Sequence, residues 1–274
     1  MHKFLLGLLM LVSASAQAWD QRAPNPVTAC QVHSPYGFAA TQRTATAICR
    51  EAYLVAYDAP VRIPVYVAYT LKPENALGCF PRTNAFVADQ SIQGGATPSD
   101  YVGSGYDKGH AAPDGDLSYT QQVEYESFLM TNMYPQHGSL NRGIWKLLET
   151  SVRGWTVQLN QPYTIYVGAM YGNGDEFLAN GKIIIPHAYY KIVINNATGQ
   201  VAGWRFPHTK PYVNLGNDLT KFRVAISDIQ KEAGVQYQYP ANAKEVQPGQ
   251  EWPVNFGDLT KAKRAKCGAN ASAE

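Results

Sequence analysis

The chain has 274 residues, is 45% hydrophobic and 16% charged, and carries a net charge of +2. That much apolar material supplies a sizeable core and excludes an intrinsically disordered chain. The near balance of charge excludes a uniformly basic nucleic-acid binder, so any basic groove must come from local placement of residues.

Lys3 precedes an apolar run from Phe4 to Val12, and Ala16-Gln17-Ala18 forms an A-x-A pattern. Together they predict a secretory signal peptide over residues 1–18, cleaved after Ala18, and hence a secreted or periplasmic protein. The run is too short to span a bilayer, and no comparable run follows, so no membrane partner is expected. Residues 19–274 show neither a linker-like stretch nor a repeat, which favours a single domain. Four cysteines lie in that part: Cys30, Cys49, Cys79 and Cys267. An even count in an exported chain points to disulfides in one of three connectivities. The favoured pairs are Cys30 with Cys49 and Cys79 with Cys267. No C-x-x-C pair supports a metal site on these thiols.

Tyr53–Tyr57 and Ile63–Thr70 alternate β-branched and aromatic residues around the turn former Asp58-Ala59-Pro60, predicting an antiparallel hairpin. The Gly-, Pro- and Asn-rich stretch Pro81–Tyr101 predicts a long surface loop that carries Arg82. Strands are expected over Trp155–Leu159, Tyr163–Ala169, Ile183–Ile185, Tyr189–Asn195 and Val201–Phe206, with a turn at Asn196–Gly199. Helical periodicity through Leu219, Phe222, Ile226 and Ile229 predicts a helix from Asp218 to Ala233, stopped by Gly234. The basic run Lys261–Lys266 is expected to be a solvated C-terminal face rather than a source of phosphate contacts. The fold class is therefore α+β, with a mainly antiparallel central sheet flanked by helices.

The chemistry concentrates between Tyr106 and Glu149. Asp107-Lys108-Gly109-His110 places a histidine in a glycine-containing turn. A turn follows at Asn132-Met133-Tyr134-Pro135-Gln136, and Asn141, Trp145 and Glu149 recur at four-residue spacing. On one helix that spacing turns Asn141 and Glu149 toward the same cleft. An imidazole, an amide oxygen and a carboxylate suit a hard divalent cation beside a general base. The other histidines of the mature chain, His33, His137, His187 and His208, lack comparable neighbours.

These residues, in this order, resemble the DNA/RNA non-specific endonucleases of the ββα-metal (His-Me finger) superfamily. Their signature is Asp-Arg-Gly-His, then Asn-x-x-Pro-Gln, then Asn-x-x-x-Trp-x-x-x-Glu. Weaker similarity extends from about Arg50 to Gln230 and includes Ile185–Lys191. Lys108 stands where the family has arginine, a point charge in place of a bidentate fork.

The resemblance implies a ββα-metal finger on the sheet and an endonuclease that takes DNA and RNA. His110 would be the general base, an effect worth ~10²–10⁴ in rate. Asn141 would be the one direct protein ligand of Mg²⁺, with Mn²⁺ able to substitute, and Glu149 would hold the cation's waters. In the family's mechanism water attacks in line and the 3′ oxygen leaves, so products carry 5′-phosphates. Arg82, Asn132 and Arg153 match family positions near the site. Each also has a structural reading: Arg82 as a solvated arginine, Asn132 as a turn former, and Arg153 as a partner of helix C-terminal carbonyls. Further partners, a second copy or an inhibitor protein, are left open. The competing functions are a catalytically weak nucleic-acid-binding protein on the same fold and a zinc hydrolase, the latter without any H-x-x-x-H spacing in its support.

Overall fold

The computed structural model describes residues 21–178 and 181–271, so the expected leader over 1–18 lies outside the described residues. The first half of the chain forms β1 (Ala40–Thr41), β2 (Thr46–Cys49), β3 (Leu54–Asp58), β4 (Ile63–Leu71), β5 (Asp107–His110), α1 (Gln121–Ser127) and β6 (Met133–Gln136). Then come α2 (Lys146–Leu159), β7 (Tyr163–Met170), β8 (Ala188–Asn195), β9 (Gln200–Pro207), α3 (Ile226–Ala233), β10 (Val235–Gln236), β11 (Lys244–Glu245) and α4 (Phe256–Cys267).

Seven strands build one sheet in the order β11-β9-β8-β7-β4-β3-β2. Every pairing in it is antiparallel except that of the short edge strand β11 with β9. The expected hairpin is β3 with β4, in register Val55 to Val67, with a bulge at Ala56/Tyr57.

Both faces of the sheet are covered, and period-2 alternation sorts the side chains between them. Tyr163, Ile165 and Val167 of β7 pack toward α2 and the β5/β6 ribbon, whereas Tyr166 and Met170 pack toward α3 and the Cys30–Cys49 bridge. On β8, Tyr189 and Val193 face the α2 side. Lys191 lies between them in the same alternation and is fully buried. Both favoured disulfides are present, Cys30–Cys49 and Cys79–Cys267.

Five expected elements differ, the first being Asp107–His110, which is strand β5 and not a turn. Trp155–Leu159 is not a strand but the second half of α2, which ends at left-handed Asn160 (φ 50°). Leu148, Val152 and Trp155 share the helix face that enters the core, and that packing overrides the β propensity of Trp155-Thr156-Val157. Ile183–Ile185 is buried but contributes only an isolated bridge between Phe177 and Ile184. The helix expected over 218–233 is a short turn, Leu219–Phe222, followed by an extended link and then α3. The Val224 N–H donates to Gly203 O in that link, so the segment pairs with β9 instead of coiling. α3 does end at Gly234, in the left-handed region (φ 67°). Finally, Met133–Gln136, expected as a turn, is strand β6, paired with β5.

Candidate active site

The β5/β6 ribbon aims the histidine. Lys108 and His110, two residues apart, point to one side of it. Gly109 faces Gln136 so closely that a Cβ there would lie 2.0 Å from Gln136 Oε1, so any larger residue would have to displace the Gln136 side chain. The His110 ring sits between Phe86 and Phe128, with centroids at 5.6 and 5.0 Å. Its carbonyl accepts a hydrogen bond from Trp145 Nε1 at 3.3 Å. The same two phenyl rings carry cations: Lys108 Nζ lies 4.8 Å from the Phe86 centroid and Arg82 Cζ 4.9 Å from that of Phe128. His110 Nε2 is buried and has no hydrogen-bond partner in the protein. Burial, then Arg82 and Lys191, pull its pKa down to about 3, so the ring is neutral and free to accept a proton. A phosphate arriving beside it would oppose those two cations and strengthen the base.

Asn141 does not share a continuous helix with Glu149. It lies in a wide turn, Leu140–Trp145, broken at Gly143 (φ −105°, ψ −118°), and α2 starts only at Lys146. Tertiary contacts hold the broken segment. His208 donates from Nδ1 to Pro186 O (2.8 Å) and accepts at Nε2 from the His137 N–H (2.8 Å). His137 O in turn accepts from the Leu140 and Asn141 N–H groups. Burial lowers the His208 pKa to about 4, which preserves this donor-and-acceptor tautomer at neutral pH. Both histidines thus acquire a positioning role that their sequence neighbours did not suggest. Asn141 Nδ2 donates to Asp107 Oδ2 at 3.0 Å, and Arg142 holds the other oxygen of that carboxylate at 2.9 Å. With its nitrogen so engaged, Asn141 is left its amide oxygen to offer a cation.

Glu149 and Arg153, one turn apart on α2, complete the wall. Glu149 Oε1 meets Lys191 Nζ at 3.3 Å. The same ammonium donates to Ala111 O at 3.2 Å and lies 4.3 Å from the Trp145 ring centroid. Burial raises the Glu149 pKa, and Lys191 is the first group opposing that rise. Arg153 is not a cap for terminal carbonyls, because α2 runs on to Leu159. It pairs with buried Asp116 at 2.6 Å, and Asp116 also accepts from Tyr69 OH at 2.7 Å. Arg82 is an exposed arginine that pairs with Asp114 at 2.7 Å.

Arg82, Lys108, His110, Asn141, Glu149 and Arg153 all line one groove of about 370 Å³, together with Arg142 and Lys146. Its cations outnumber its carboxylates, Asp114 and Glu149, so local placement makes a basic groove on a nearly neutral protein. Asn132 is the exception. It is fully buried, bonded through Oδ1 to the Ala112 N–H (3.0 Å) and through Nδ2 to Ala112 O (2.9 Å) and Ser127 O (2.8 Å). It braces the chain just after His110 and does not face the groove. Lys191 and Asp116 were missed from the sequence. A lone lysine inside the apolar strand Tyr189–Asn195 was the available signal for the first.

Among the described residues no three His, Cys, Asp or Glu side chains are grouped to hold a metal. One amide oxygen and one nearby carboxylate instead fit a hard cation that keeps most of its waters.

Residues 32–245 match the model of the DNA/RNA non-specific endonuclease family. Nuclease C1 of Cunninghamella echinulata var. echinulata is 26% identical over 204 residues, 69% of this chain and 81% of the relative. A nuclease of Nostoc sp. is 30% identical over 199 residues, 68% of this chain and 70% of the relative. The fold is similar to that in a crystal structure of the EndoG/EndoGI complex, which concerns EndoG inhibition. The TM-score is 0.71 at 23% identity, covering 84% of this chain and 99% of that one. The mixed α+β fold, the groove and these matches agree: the chain belongs to the DNA/RNA non-specific endonucleases, a metal-dependent family.

Proposed function

We propose that the protein is an exported, Mg²⁺-dependent endonuclease that hydrolyses phosphodiester bonds of DNA and RNA to 5′-phosphate products, with His110 as general base. The observation that carries this reading is the buried, unpartnered Nε2 of a neutral His110 in a cation-lined groove shared with Asn141 and Glu149. Nε2 takes a proton from a water as that water's oxygen bonds to phosphorus, the bond from phosphorus to the 3′ oxygen breaks, and a solvent water protonates the departing oxygen. Asn141 Oδ1 would hold the cation directly and Glu149 through its waters. The bound ion would supply charge neutralisation on the phosphoryl oxygens. Arg82 and Lys108 position the phosphate, Asp107 orients the Asn141 amide, and Lys191 favours the ionised form of Glu149. Cations aimed at phosphates carry no base information, which accounts for indifference to sequence.

Export after cleavage behind Ala18 is supported by two disulfides, which persist in oxidising compartments. Residues 19–274 form a single domain in this reading, since both apolar clusters share one sheet. By analogy with EndoG in its complex, an inhibitor protein is a candidate partner.

The test is incubation of the purified mature protein with plasmid DNA and with RNA, with Mg²⁺ and with excess EDTA, followed by end-group analysis. Cleavage of both substrates with Mg²⁺, its loss in EDTA and 5′-phosphate ends are expected. Undiminished cleavage in EDTA, or 3′-phosphate ends, would overturn the mechanism.

A further inference from the structure

Next to the His110 groove lies a second depression of about 430 Å³. Arg82, Asp114 and Gly115 line both, so the two depressions adjoin across these residues. The far wall of the second is the end of α4 and the residues up to Ala271. The match to the family model ends at residue 245, ahead of this wall in the chain.

The wall is built in. Cys267 is bridged to Cys79, and both cysteines line the depression. Gly154 of α2 lets the chain before α4 pack closely, because a Cβ there would lie 2.3 Å from Val254 Cγ2, and Leu259 is fully buried. Lys263 Nζ donates to Gly78 O, and Lys266 Nζ to Glu74 O at 3.1 Å. The basic run expected to be a merely solvated face therefore has one member, Lys263, half-buried in the lining. An ammonium has three donors and Gly78 takes one of them. The carboxylate in the lining of this second depression, Asp114, pairs with Arg82 through Oδ2, while its Oδ1 is buried without a hydrogen-bond partner. Elsewhere the lining is mostly backbone and small side chains, including Gly78, Gly115 and Ala269, which leaves room for a strand with any bases. Burial and then Arg153 lower the Lys263 pKa, a penalty that an adjacent phosphate would relieve.

We propose that α4, clamped by the Cys79–Cys267 bridge, forms a phosphate-backbone subsite for the nucleic-acid strand beyond the scissile phosphate, with Lys263 as its cation. This rests on the nuclease reading of the adjoining groove. The experiment is steady-state cleavage by the oxidised full chain of a dinucleotide and of a long single-stranded oligodeoxynucleotide across a salt series. Lys263→Gln should raise KM for the long strand about fivefold and flatten its log–log salt dependence by ~0.7, the amount for one lost phosphate contact on a single strand. kcat/KM for the dinucleotide should stay at the wild-type value. Lys263→Arg should behave as wild type. Ala269→Glu, at an exposed position on the same wall, should raise KM for the long strand without any burden on folding. Unchanged long-strand KM and salt slope in Lys263→Gln and Ala269→Glu would overturn the subsite, as would equal losses on both substrates. Failure of the wild-type protein to cut either substrate would instead strike the groove reading on which the subsite rests.

Discussion

Lys191→Met removes the only charge on the α2-facing side of β8 while keeping an apolar side chain of similar length. In the native protein Lys191 is fully buried, and its ammonium lies 3.3 Å from Glu149 Oε1. Coulomb's law at that distance gives ~5 kcal/mol with an effective dielectric constant of about 20. Loss of one partner of a buried pair typically costs about 3–5 kcal/mol, because the other charge is left uncompensated. The expected loss of stability is therefore ~3–5 kcal/mol at neutral pH. Burial already holds the Glu149 pKa above its ordinary value and Lys191 opposes that, so the substitution raises it further. A carboxyl with a raised folded-state pKa binds its proton more tightly when folded. The destabilisation should accordingly be smallest in acid and grow as pH rises through the new pKa. The assays are urea unfolding at acid and alkaline pH and the pH profile of kcat/KM. The acid limb of cleavage should move up, because Glu149 must ionise to hold a cation's waters. Lys191→Met with Glu149→Leu should regain stability but not activity. A Lys191→Met protein as stable as wild type at alkaline pH, with an unmoved acid limb, would refute the role given to this pair.

Three further outcomes are expected. In proton NMR of the metal-free protein, the rings of His33, His110 and His208, with pKa values of about 4, 3 and 4, should not titrate between neutral pH and pH 5. Because these values are depressed, the unfolded chain binds the protons first. Their contribution to stability is complete above pH ~6.5 and falls away as the pH drops toward the folded values. Gly109→Ala forces a Cβ to within 2.0 Å of Gln136 Oε1. It should lower both the melting temperature and turnover, and a variant with unchanged activity would show that the Gln136 side chain moves aside without cost. Lys108→Arg should maintain or improve cleavage, since a fork grips phosphate at two points, and a tenfold or larger loss would place the Lys108 ammonium in a role that arginine cannot fill.

The parts of the fold that were legible in the sequence are those set by local rules. The β3/β4 hairpin follows from alternation around Asp58-Ala59-Pro60, and the end of α3 from Gly234. The groove residues were picked out by the resemblance of the Asp107–His110 and Asn141–Glu149 segments to the family, although Asn141 lies ahead of α2 and not on the helix that the four-residue spacing predicted. What was not legible depends on distant contacts. The break at Gly143 belongs to a segment pinned through His137 to His208, 71 residues away in sequence. Trp155 has the propensity of a strand residue but is claimed by a helix because Trp204 stacks on it and Trp252 and Tyr163 pack around it at a tilt. Asn132 has the chemistry of a site residue, yet its hydrogen bonds are all used in bracing the backbone beside Ala112. Lys263 looks like one of several surface cations until Cys267 is joined to Cys79.

The division of labour between His110 as base and Asn141 as cation ligand is tested most directly by titrating Mg²⁺ against plasmid cleavage rate for wild type, His110→Ala and Asn141→Ala. His110→Ala should lose ~10²–10⁴ in maximal rate and keep the wild-type Mg²⁺ concentration for half-activity. Asn141→Ala should lose rate and also require more Mg²⁺. If His110→Ala shifts the Mg²⁺ requirement as far as Asn141→Ala does, then His110 is a metal ligand and another group is the base.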